Sequence, residues 1–161
     1  MSLAIRPAVA TDVPEIVAMI RELATYEREP DAVEATEELI ASALFDPSPA
    51  AYCHVAVDDG ATMGFALWFL NFSTWLGRHG IYLEDLYVRP EARGAGAGRA
   101  LLAELARICV ERGYRRLEWS VLNWNVDAHG FYRRLGAAPM DEWTVWRLTG
   151  DALAELGGRD T

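Results

Sequence analysis

The chain contains no lysine, only two cysteines and no long apolar run, and each absence excludes a class of protein. Two cysteines, Cys53 and Cys109, are too few for a disulfide framework and lack metal-ligand spacing, which favours a reducing, cytoplasmic compartment. The longest apolar segment, residues 65–70, is too short to cross a bilayer. Arg6 and Pro7 interrupt the N-terminus early, which argues against a signal peptide. Without lysine, an anion site here must use arginine or backbone N–H groups.

Positive charge is also scarce, because 15 arginines stand against 24 acidic residues and give a net charge of −9. That balance argues against a nucleic-acid partner, since phosphate backbones require a basic surface. It favours cationic substrates by electrostatic steering, although acidity can also serve solubility alone. A chain of 161 residues suffices for one domain with its own core, so we predict a single domain over residues 1–161.

Apolar periodicity and turn signals predict ten elements in the order βααβββαβαβ. Asp12, with Glu15 three residues later, is a cap signal for the first helix, and Gly113 and Gly136 are stop signals for later ones. The predicted strands cover residues 3–6, 52–57, 62–72, 81–88, 116–122 and 142–148, and helices begin near residues 12, 37, 98 and 125. Hairpin-length turns between the middle strands predict an α/β (α+β) fold with a mixed, mostly antiparallel sheet and flanking helices.

A glycine-rich segment follows the predicted strand over residues 81–88 and leads directly into a helix. Gly94, Gly96 and Gly98 have no Cβ, so backbone N–H groups at the helix N-terminus can approach a phosphate. Arg93 and Arg99 supply charge beside those donors. The segment lacks the Lys-Ser/Thr of a P-loop and the βαβ context of a dinucleotide fold. It therefore predicts a pyrophosphate site, and the competing interpretation is a flexible turn of small residues.

Glu84 and Asp85 stand next to each other in the strand before this loop. Neighbouring strand residues point to opposite faces, so at least one of the two carboxylates faces the interior or a cleft. Burying a carboxylate is costly unless it is paired or hydrated. The pair thus predicts a general base beside the phosphate site, with a buried ion pair as the alternative.

Other chemically active side chains give weaker signals. The Tyr132 phenol can donate a proton to a leaving group, although a tyrosine in a helix more commonly packs in a core. Cys53 and His54 are strand neighbours that point apart, which excludes a nucleophile–base pair. No histidine has a partner at ligand spacing, so we predict no metal site. Trp75 lies in the loop predicted over residues 75–80, where its ring can line an entrance for a cation.

Taken together, these residues resemble the GCN5-related N-acetyltransferase (GNAT) family. Arg93-x-x-Gly96-x-Gly98 after a strand is similar to its acetyl-CoA pyrophosphate signature, Arg/Gln-x-x-Gly-x-Gly/Ala. The sequences RELATYE at residues 21–27 and YLED at residues 82–85, and Trp124-Asn125 followed by Phe131-Tyr132, resemble the diamine (spermidine/spermine) acetyltransferase branch. The resemblance covers residues 5 to 148 and implies the GNAT fold, in which two neighbouring parallel strands, here 81–88 and 116–122, splay apart.

The resemblance implies acetyl-CoA as the cosubstrate, held in the opening between those two strands. The backbone of Leu86, Tyr87 and Val88 would pair with the pantetheine arm, and the Val88 N–H would face the thioester oxygen as an oxyanion hole does. Asn125 would reach the cofactor arm. The implied pyrophosphate contacts are the residues of the glycine-rich segment: Arg93, Gly94, Ala95, Gly96, Ala97, Gly98 and Arg99.

The resemblance further implies direct acetyl transfer to the primary amine of a small cationic substrate, by a homodimeric enzyme. An alkyl amine has a pKa of about 10.4 and arrives protonated, so it must lose a proton before it attacks. Glu84 would remove that proton, directly or through a water, and Tyr132 would protonate the departing thiolate. The implied substrate contacts are Tyr26, Glu27, Trp75, Glu84 and Asp85.

Some positions depart from the diamine branch. Ser73 stands two residues before the loop tryptophan, where members that act on polyamines are expected to carry an acid. Ser73-Thr74-Trp75 is more similar to the branch that acts on thialysine, a lysine-like amino acid. Leu135 stands where an arginine is expected at the cofactor, and Asp141 or Glu142 is the candidate for a second acidic substrate contact. We therefore predict a thialysine- or lysine-like amine, or a diamine or polyamine, as the substrate.

Three other functions compete with this prediction. One is acetylation of a protein N-terminus or lysine, which requires an open peptide groove. The others are a non-catalytic acyl-CoA-binding module and a nucleotide-phosphate binder without transfer chemistry. The joint presence of Glu84 and Tyr132 favours catalysis, because a protein that only binds a ligand needs neither.

Overall fold

A computed structural model describes residues 2–158 of the chain. Within that range the strands are β1 (Leu3–Pro7), β2 (Tyr52–Asp58), β3 (Ala61–Ser73), β4 (Arg78–Val88) and β5 (Leu117–Trp119). The helices are α1 (Val13–Tyr26), α2 (Glu37–Phe45), α3 (Ala97–Arg112), α4 (Val126–Arg134) and α5 (Gly150–Leu156), with short 3-10 turns at Ala10–Asp12 and Pro90–Ala92. The described residues form two compact units, of which the first ends at Leu122 and the second begins at Asn123.

The sheet of the first unit has the strand order β1-β2-β3-β4-β5. Neighbours from β1 to β4 are antiparallel, and β5 is parallel to β4. The hairpin between β2 and β3 turns at Asp59 and Gly60, which both have positive φ angles of 49° and 80°. The prediction of a mixed, mostly antiparallel sheet with flanking helices is therefore confirmed.

The two faces of the sheet are covered by different helices. On one face, α1 and α2 pack on the sheet and form an apolar cluster with side chains from β2, β3 and β4. The buried members of this cluster are Ile16, Met19, Leu44, Cys53, Val55, Phe65 and Tyr87. On the other face, α3 places Glu104 beside His54 and Arg112 over the ring of Trp68. Leu101 and Leu105 of α3 are fully buried. Burial of both faces supplies most of the stability of this unit, because apolar area removed from water contributes roughly 25 cal/mol per Å².

Helix starts and stops follow the sequence signals with one exception. The Thr36 hydroxyl accepts a hydrogen bond from the Leu39 N–H (3.2 Å) and caps α2, and Gly113 ends α3 with a φ of 75°. The prediction that the Asp12 side chain caps α1 is wrong. Its carboxylate instead accepts bonds from the Val9 N–H at 2.8 Å and from the Arg6 guanidinium at 2.7 Å, because Asp12 itself has helical backbone angles.

Two further predictions are also wrong, one about the extent of a loop and one about the last strand. The loop predicted over residues 75–80 is shorter, because β4 begins at Arg78 and pairs there with Ser73. The strand predicted over residues 142–148 does not form in the part of the chain that the structure describes, and α5, which was not predicted, follows at Gly150. An alternating apolar pattern needs a neighbouring strand to pair with, and here Val145 and Trp146 are 81% and 91% exposed.

Candidate active site

The glycine-rich segment forms the turn between β4 and α3 that the sequence predicts. Gly94 and Gly96 both have a φ of 85°, a left-handed conformation that side chains with a Cβ rarely adopt. A Cβ at either position would meet nothing within 4 Å, so the backbone angle and not space requires glycine. The Ala100 N–H closes the first turn of α3 on the Gly96 carbonyl at 2.9 Å. The N–H groups before it point out of the helix end, where an anion binds most favourably.

Arg93 ties this loop to the end of β4. Its Nε donates to the Val88 carbonyl at 3.0 Å. Its guanidinium lies over two aromatic rings, 5.6 Å from the Tyr26 centroid and 5.8 Å from the Tyr87 centroid. The same arginine thus contacts the last residue of β4, the last residue of α1 and a core residue, while its charge stays exposed beside the helix N-terminus.

Strands β4 and β5 separate just where the site begins. In the described chain their pairing covers only Ile81 to Leu83 on β4 and Leu117 to Trp119 on β5, so the predicted strand 116–122 is shorter than expected. β4 continues to Val88 with β3 alone as its neighbour. The predicted splay of two parallel strands is therefore present in the first unit, and it exposes one edge of β4 beyond Leu83.

The backbone of Val88 points toward that exposed edge. The Arg89 N–H donates to the Met63 carbonyl of β3 at 2.8 Å. Backbone groups alternate in direction along a strand, so the N–H and carbonyl of Val88, one residue earlier, point away from β3. The Val88 carbonyl accordingly reaches Arg93, and the Val88 N–H is directed to the side where β5 diverges.

Glu84 is the extra residue of a β-bulge in β4. Leu67 of β3 is opposite Asp85 and Trp68 is opposite Leu83, so Glu84 has no partner of its own in the register. Cross-strand partners share a face of the sheet, and Leu67 and Trp68 point to opposite faces. The bulge therefore turns Asp85 to the α1 face while Leu83 stays on the α3 face. Glu84 itself is exposed and Asp85 is partly buried.

Three carboxylates interact around this bulge. Burial raises the pKa of Asp85 to about 6, and the negative charges of Glu84 and Glu27 contribute to the increase. Burial also raises the pKa of Glu27, which directly follows α1, and Glu84 adds to that increase. Because the carboxylates repel one another, each favours a protonated neighbour or a bound cation. The structure thus brings together Glu27, Glu84 and Asp85, the three acids that the sequence predicts for the substrate site.

A hydrogen-bonded network that the sequence-based predictions missed fixes α1 against the end of β4. Arg89 contacts Glu22 through Nη2 at 3.0 Å and Glu15 through Nη1 at 2.7 Å, and it donates to the Thr62 carbonyl. The Tyr87 hydroxyl donates to Glu22 at 3.2 Å. These contacts fix the position of α1 relative to β4. They thereby position Tyr26, the last residue of the helix, and Glu27, which directly follows it. The signal in the sequence was an arginine directly after the acidic strand, together with Glu22 inside RELATYE.

The predicted substrate aromatics lie at two different places. Tyr26 ends α1 and contacts Arg93, beside the glycine-rich segment. Trp75 is 80% exposed in the turn between β3 and β4, at the far end of the hairpin from Val88. Trp75 lies in the turn before β4, and the strand rises for six residues from Arg78 to Glu84, which is roughly 20 Å at about 3.3 Å per residue. Ser73 in the same turn accepts a hydrogen bond from the Leu76 N–H at 3.2 Å and stabilises the turn.

Neither cysteine offers a thiolate. Burial raises the pKa of Cys53 to about 12, with contributions from the charges of Asp12 and Asp85. Burial likewise raises the pKa of Cys109. Cys53 belongs to the core cluster under α1, whereas His54 faces α3, so the two side chains point apart as predicted. A cysteine-linked acyl intermediate therefore has no support in this unit.

Asn125 and Tyr132 lie in the second unit. Asn125 precedes α4, and its carbonyl accepts the His129 N–H at 3.2 Å. Tyr132 is in the last turns of α4, partly buried and packed on Phe131 with ring centroids 5.3 Å apart. Leu135 caps the helix and Gly136 has a φ of 95°, as the stop signal predicts.

Residues 2–158 contain neither a metal-binding cluster nor a membrane-spanning helix. No three histidine, cysteine, aspartate or glutamate side chains in that range are grouped to hold a metal ion. No helix in it is long and apolar enough to span a membrane.

Comparison with known proteins gives a consistent picture. The family model described as "Acetyltransferase (GNAT) family" matches residues 16–137. The chain is 38% identical to thialysine N-epsilon-acetyltransferase of Sus scrofa, over 98% of this chain and 99% of that protein. It is 34% identical to L-ornithine N5-acetyltransferase NATA1 of Arabidopsis thaliana, over 94% of this chain and 86% of that protein. Among solved structures it resembles an integron cassette protein from the mobile metagenome of V. cholerae, with a TM-score of 0.81, 28% identity and 98% coverage of both chains.

Proposed function

We propose, from the premise that this chain belongs to the acetyltransferase (GNAT) family and to its diamine-acetyltransferase-like branch, that it acetylates the side-chain amine of a small lysine-like amino acid. As a member of that family it is an acetyl-CoA-dependent N-acetyltransferase acting on an amine. The observation that carries the choice of substrate is the group of three carboxylates, Glu27, Glu84 and Asp85, around the bulge of β4.

The acidic group supports a cationic substrate on electrostatic grounds. In the absence of a cation, burial and mutual repulsion hold the pKa of Asp85 at about 6. An ammonium group placed among the carboxylates relieves that repulsion and favours the ionised form of all three. The net charge of −9 adds long-range attraction for the same ligand.

The glycine-rich segment and the β4 edge support the implied placement of acetyl-CoA. We propose that the N–H groups of residues 94–99, with Arg93 and Arg99, hold the pyrophosphate, because the left-handed Gly94 and Gly96 shape the loop before α3. Leu86, Tyr87 and Val88 would pair with the pantetheine arm along the edge beyond Leu83, and Asn125 would contact the same arm. The Val88 N–H points to that edge, where it would donate to the thioester oxygen.

The proposed reaction is a direct transfer with Glu84 as general base. Glu84, exposed on the bulge, takes a proton from the ammonium group, directly or through a water. The freed amine nitrogen attacks the thioester carbon, the C–N bond forms and the C–S bond breaks. Tyr132 gives its phenolic proton to the departing thiolate, and the second proton that the acylated nitrogen loses restores the phenol. Both cysteines are neutral buried thiols, which supports transfer without an acyl-enzyme.

Two features favour an amino acid over a long polyamine as substrate. The relatives named for thialysine and ornithine act on amino acids that end in a primary amine. Ser73, where an acid is expected in polyamine-acting members, uses its hydroxyl to hold the β3–β4 turn. We propose Tyr26, the last residue of α1 and the neighbour of Glu27, as a further substrate contact. Trp75, in the β3–β4 turn, is proposed as a substrate contact on the family resemblance alone.

The quaternary and cellular context is also proposed on the basis of the family. We propose a homodimer, a single domain over residues 1–161 and a cytoplasmic location. The exposed apolar side chains Val145 and Trp146 support association of two copies, because exposed apolar patches commonly mark interfaces. Sedimentation equilibrium tests the dimer, and a single monomeric species at micromolar concentration would contradict it.

The function is tested by thiol release from acetyl-CoA with a panel of amines. The panel contains thialysine, lysine, ornithine, diaminopropane, spermidine and a short peptide with a free N-terminus. We expect the highest kcat/KM with one of the three amino acids and a lower value with spermidine. Release no faster than hydrolysis with every amine would refute the small-amine proposal, and a preference for the peptide would assign a protein acetyltransferase instead.

A further inference from the structure

A cavity of about 400 Å³ lies between the C-terminal ends of α2 and α3 in the first unit. Its wall includes no residue of the glycine-rich segment and none of the three carboxylates around the bulge. The volume falls in the range of about 300–1,000 Å³ that is typical of small-molecule sites. The acetyl-transfer proposal assigns no role to the side chains that line it.

Aromatic rings form the floor of this cavity. Tyr52 stacks on Trp68 with centroids 4.7 Å apart and an interplanar angle of 27°. The His54 ring is nearly parallel to Trp68 as well, at 6.0 Å and 26°. Trp68 is 2% exposed, so the packed rings are held in place from below. A flat, rigid apolar surface of this kind suits a planar ring, which can stack on it in an offset arrangement.

His54 presents a hydrogen-bond donor to the cavity. Its Nδ1 accepts a hydrogen bond from the Trp68 Nε1–H at 3.1 Å, which places the proton of the neutral imidazole on Nε2. Among residues 2–158, the nearest acid to Nε2 is Glu104 at 4.0 Å, beyond hydrogen-bond distance. Burial lowers the pKa of His54, so the ring stays neutral near pH 7. The side chain is 6% exposed, and it offers one N–H to a ligand with an acceptor atom.

The rim of the cavity carries one arginine without a carboxylate partner. Arg107 binds Glu104 at 2.6 Å and Glu111 at 2.5 Å, so both rim acids already share a cation. Arg112 lies over the Trp68 ring at 6.0 Å, and within the described part of the chain no carboxylate is within 4 Å of its guanidinium. Arg112 therefore provides a positive charge that an anionic group of a ligand can neutralise.

We propose that this cavity binds a small planar aromatic carboxylate. Its ring lies against the Tyr52 ring, which Trp68 supports from beneath, its carboxylate binds Arg112, and an acceptor atom receives the His54 Nε2–H. The contacts come from β2 and α3, with Trp68 of β3 beneath them, and the register and packing of these elements hold them around one volume. A cationic ligand of the same shape would approach Arg112 with a like charge and leave the His54 donor without an acceptor.

The test uses the full-length protein and three probes of one shape: indole-3-acetate, indole-3-acetamide and tryptamine. Binding is followed by imidazole ¹H–¹⁵N spectra, in which His54 is one of three histidines and is assigned by elimination with His79→Gln and His129→Gln. We expect saturable shifts of the His54 signals with indole-3-acetate and about tenfold weaker binding of the amide, as expected when one charge-assisted contact is lost. Tryptamine should leave those signals unchanged.

Arg112→Gln and Arg115→Gln form the matched pair of variants, because both arginines are exposed near the end of α3 and only Arg112 lines the cavity. We expect about tenfold weaker binding of indole-3-acetate to Arg112→Gln and a change below about twofold for Arg115→Gln. The titration extends to about 10 mM indole-3-acetate, a concentration that would reveal even weak binding. The proposal is wrong if the His54 signals show no saturable shift over this range. Equal affinity of the acid and the amide, or of Arg112→Gln and the wild type, would overturn it as well.

Discussion

Replacing Asp85 with asparagine should stabilise the protein at neutral pH. The native carboxyl has a pKa of about 6, raised mainly by burial and further by Glu84 and Glu27. An aspartate in an unfolded chain has a pKa of about 3.9. The folded protein must therefore ionise a buried group that the unfolded chain ionises freely. Asparagine keeps the size and shape of the side chain without that charge.

The sign and size of the effect follow from proton linkage. Between about pH 3.9 and pH 6 the folded state holds more protons than the unfolded state, so stability falls as the pH rises. The proton-linked stability is complete below the unfolded pKa and is lost once the pH passes the folded pKa of Asp85. A separation of about two pH units corresponds to roughly 3 kcal/mol of unfolding free energy. The Asp85→Asn variant does not lose this free energy of unfolding, because it has no carboxyl group at position 85 to ionise.

Urea unfolding monitored by tryptophan fluorescence measures the difference. We expect Asp85→Asn and the wild type to differ by a constant small amount near pH 4. The variant should gain up to roughly 3 kcal/mol relative to the wild type by pH 7.5, with most of the gain before pH 6. Asp31→Asn, at an exposed position, is the control and should follow the wild type throughout. A stability difference that does not change between pH 4 and pH 7.5 would refute the reasoning.

Three further predictions concern catalysis. Glu84→Gln should lower kcat/KM by about 10²- to 10⁴-fold and flatten its rise with pH, and an unchanged pH–rate profile would remove this residue as the base. Tyr132→Phe should lower kcat by about 10²-fold with acetyl-CoA affinity within about twofold of wild type, whereas Tyr114→Phe should keep full activity; loss of acetyl-CoA binding would make Tyr132 structural. Gly96→Ala should raise the KM for acetyl-CoA by on the order of tenfold, because the left-handed backbone costs about 1–2 kcal/mol and the loop relaxes. Gly77, in the turn between β3 and β4, also has a left-handed backbone. Gly77→Ala should therefore introduce similar strain but leave the KM for acetyl-CoA unchanged.

The regular parts of the fold could be predicted because local chemistry determines them. The β2–β3 hairpin follows from Asp58-Asp59-Gly60, and α3 lies between Gly96 and Gly113, each in a left-handed conformation. The same backbone chemistry made the phosphate-binding loop visible, since glycines directly before an amphipathic helix leave its first N–H groups open to an anion. The end of the chain was different: residues 142–148 have a strand-like pattern, and a strand requires a partner that sequence periodicity does not supply.

The geometry around the acids could not be predicted from the pattern. Leu83, Asp85 and Tyr87 are spaced by two, so the sequence suggests an uninterrupted strand with these side chains on one face. The bulge at Glu84 moves Asp85 and Tyr87 to the α1 face, while Leu83 stays under α3. The network of Arg89, Glu22 and Glu15 was also hidden, because its members are far apart in the chain and meet only when α1 packs on the sheet.

The bulge also adds a residue to β4 without changing which side chains face the helices. Leu83 is opposite Trp68 and Asp85 is opposite Leu67, so the pairing with β3 continues across Glu84. Removing Glu84 would leave a regular strand, in which Leu83 keeps the α3 face and Asp85 and Tyr87 keep the α1 face. The Val88 N–H would likewise still point away from β3. The residue proposed as the base can therefore be gained or lost as a single-residue insertion in β4, with the rest of the strand in place.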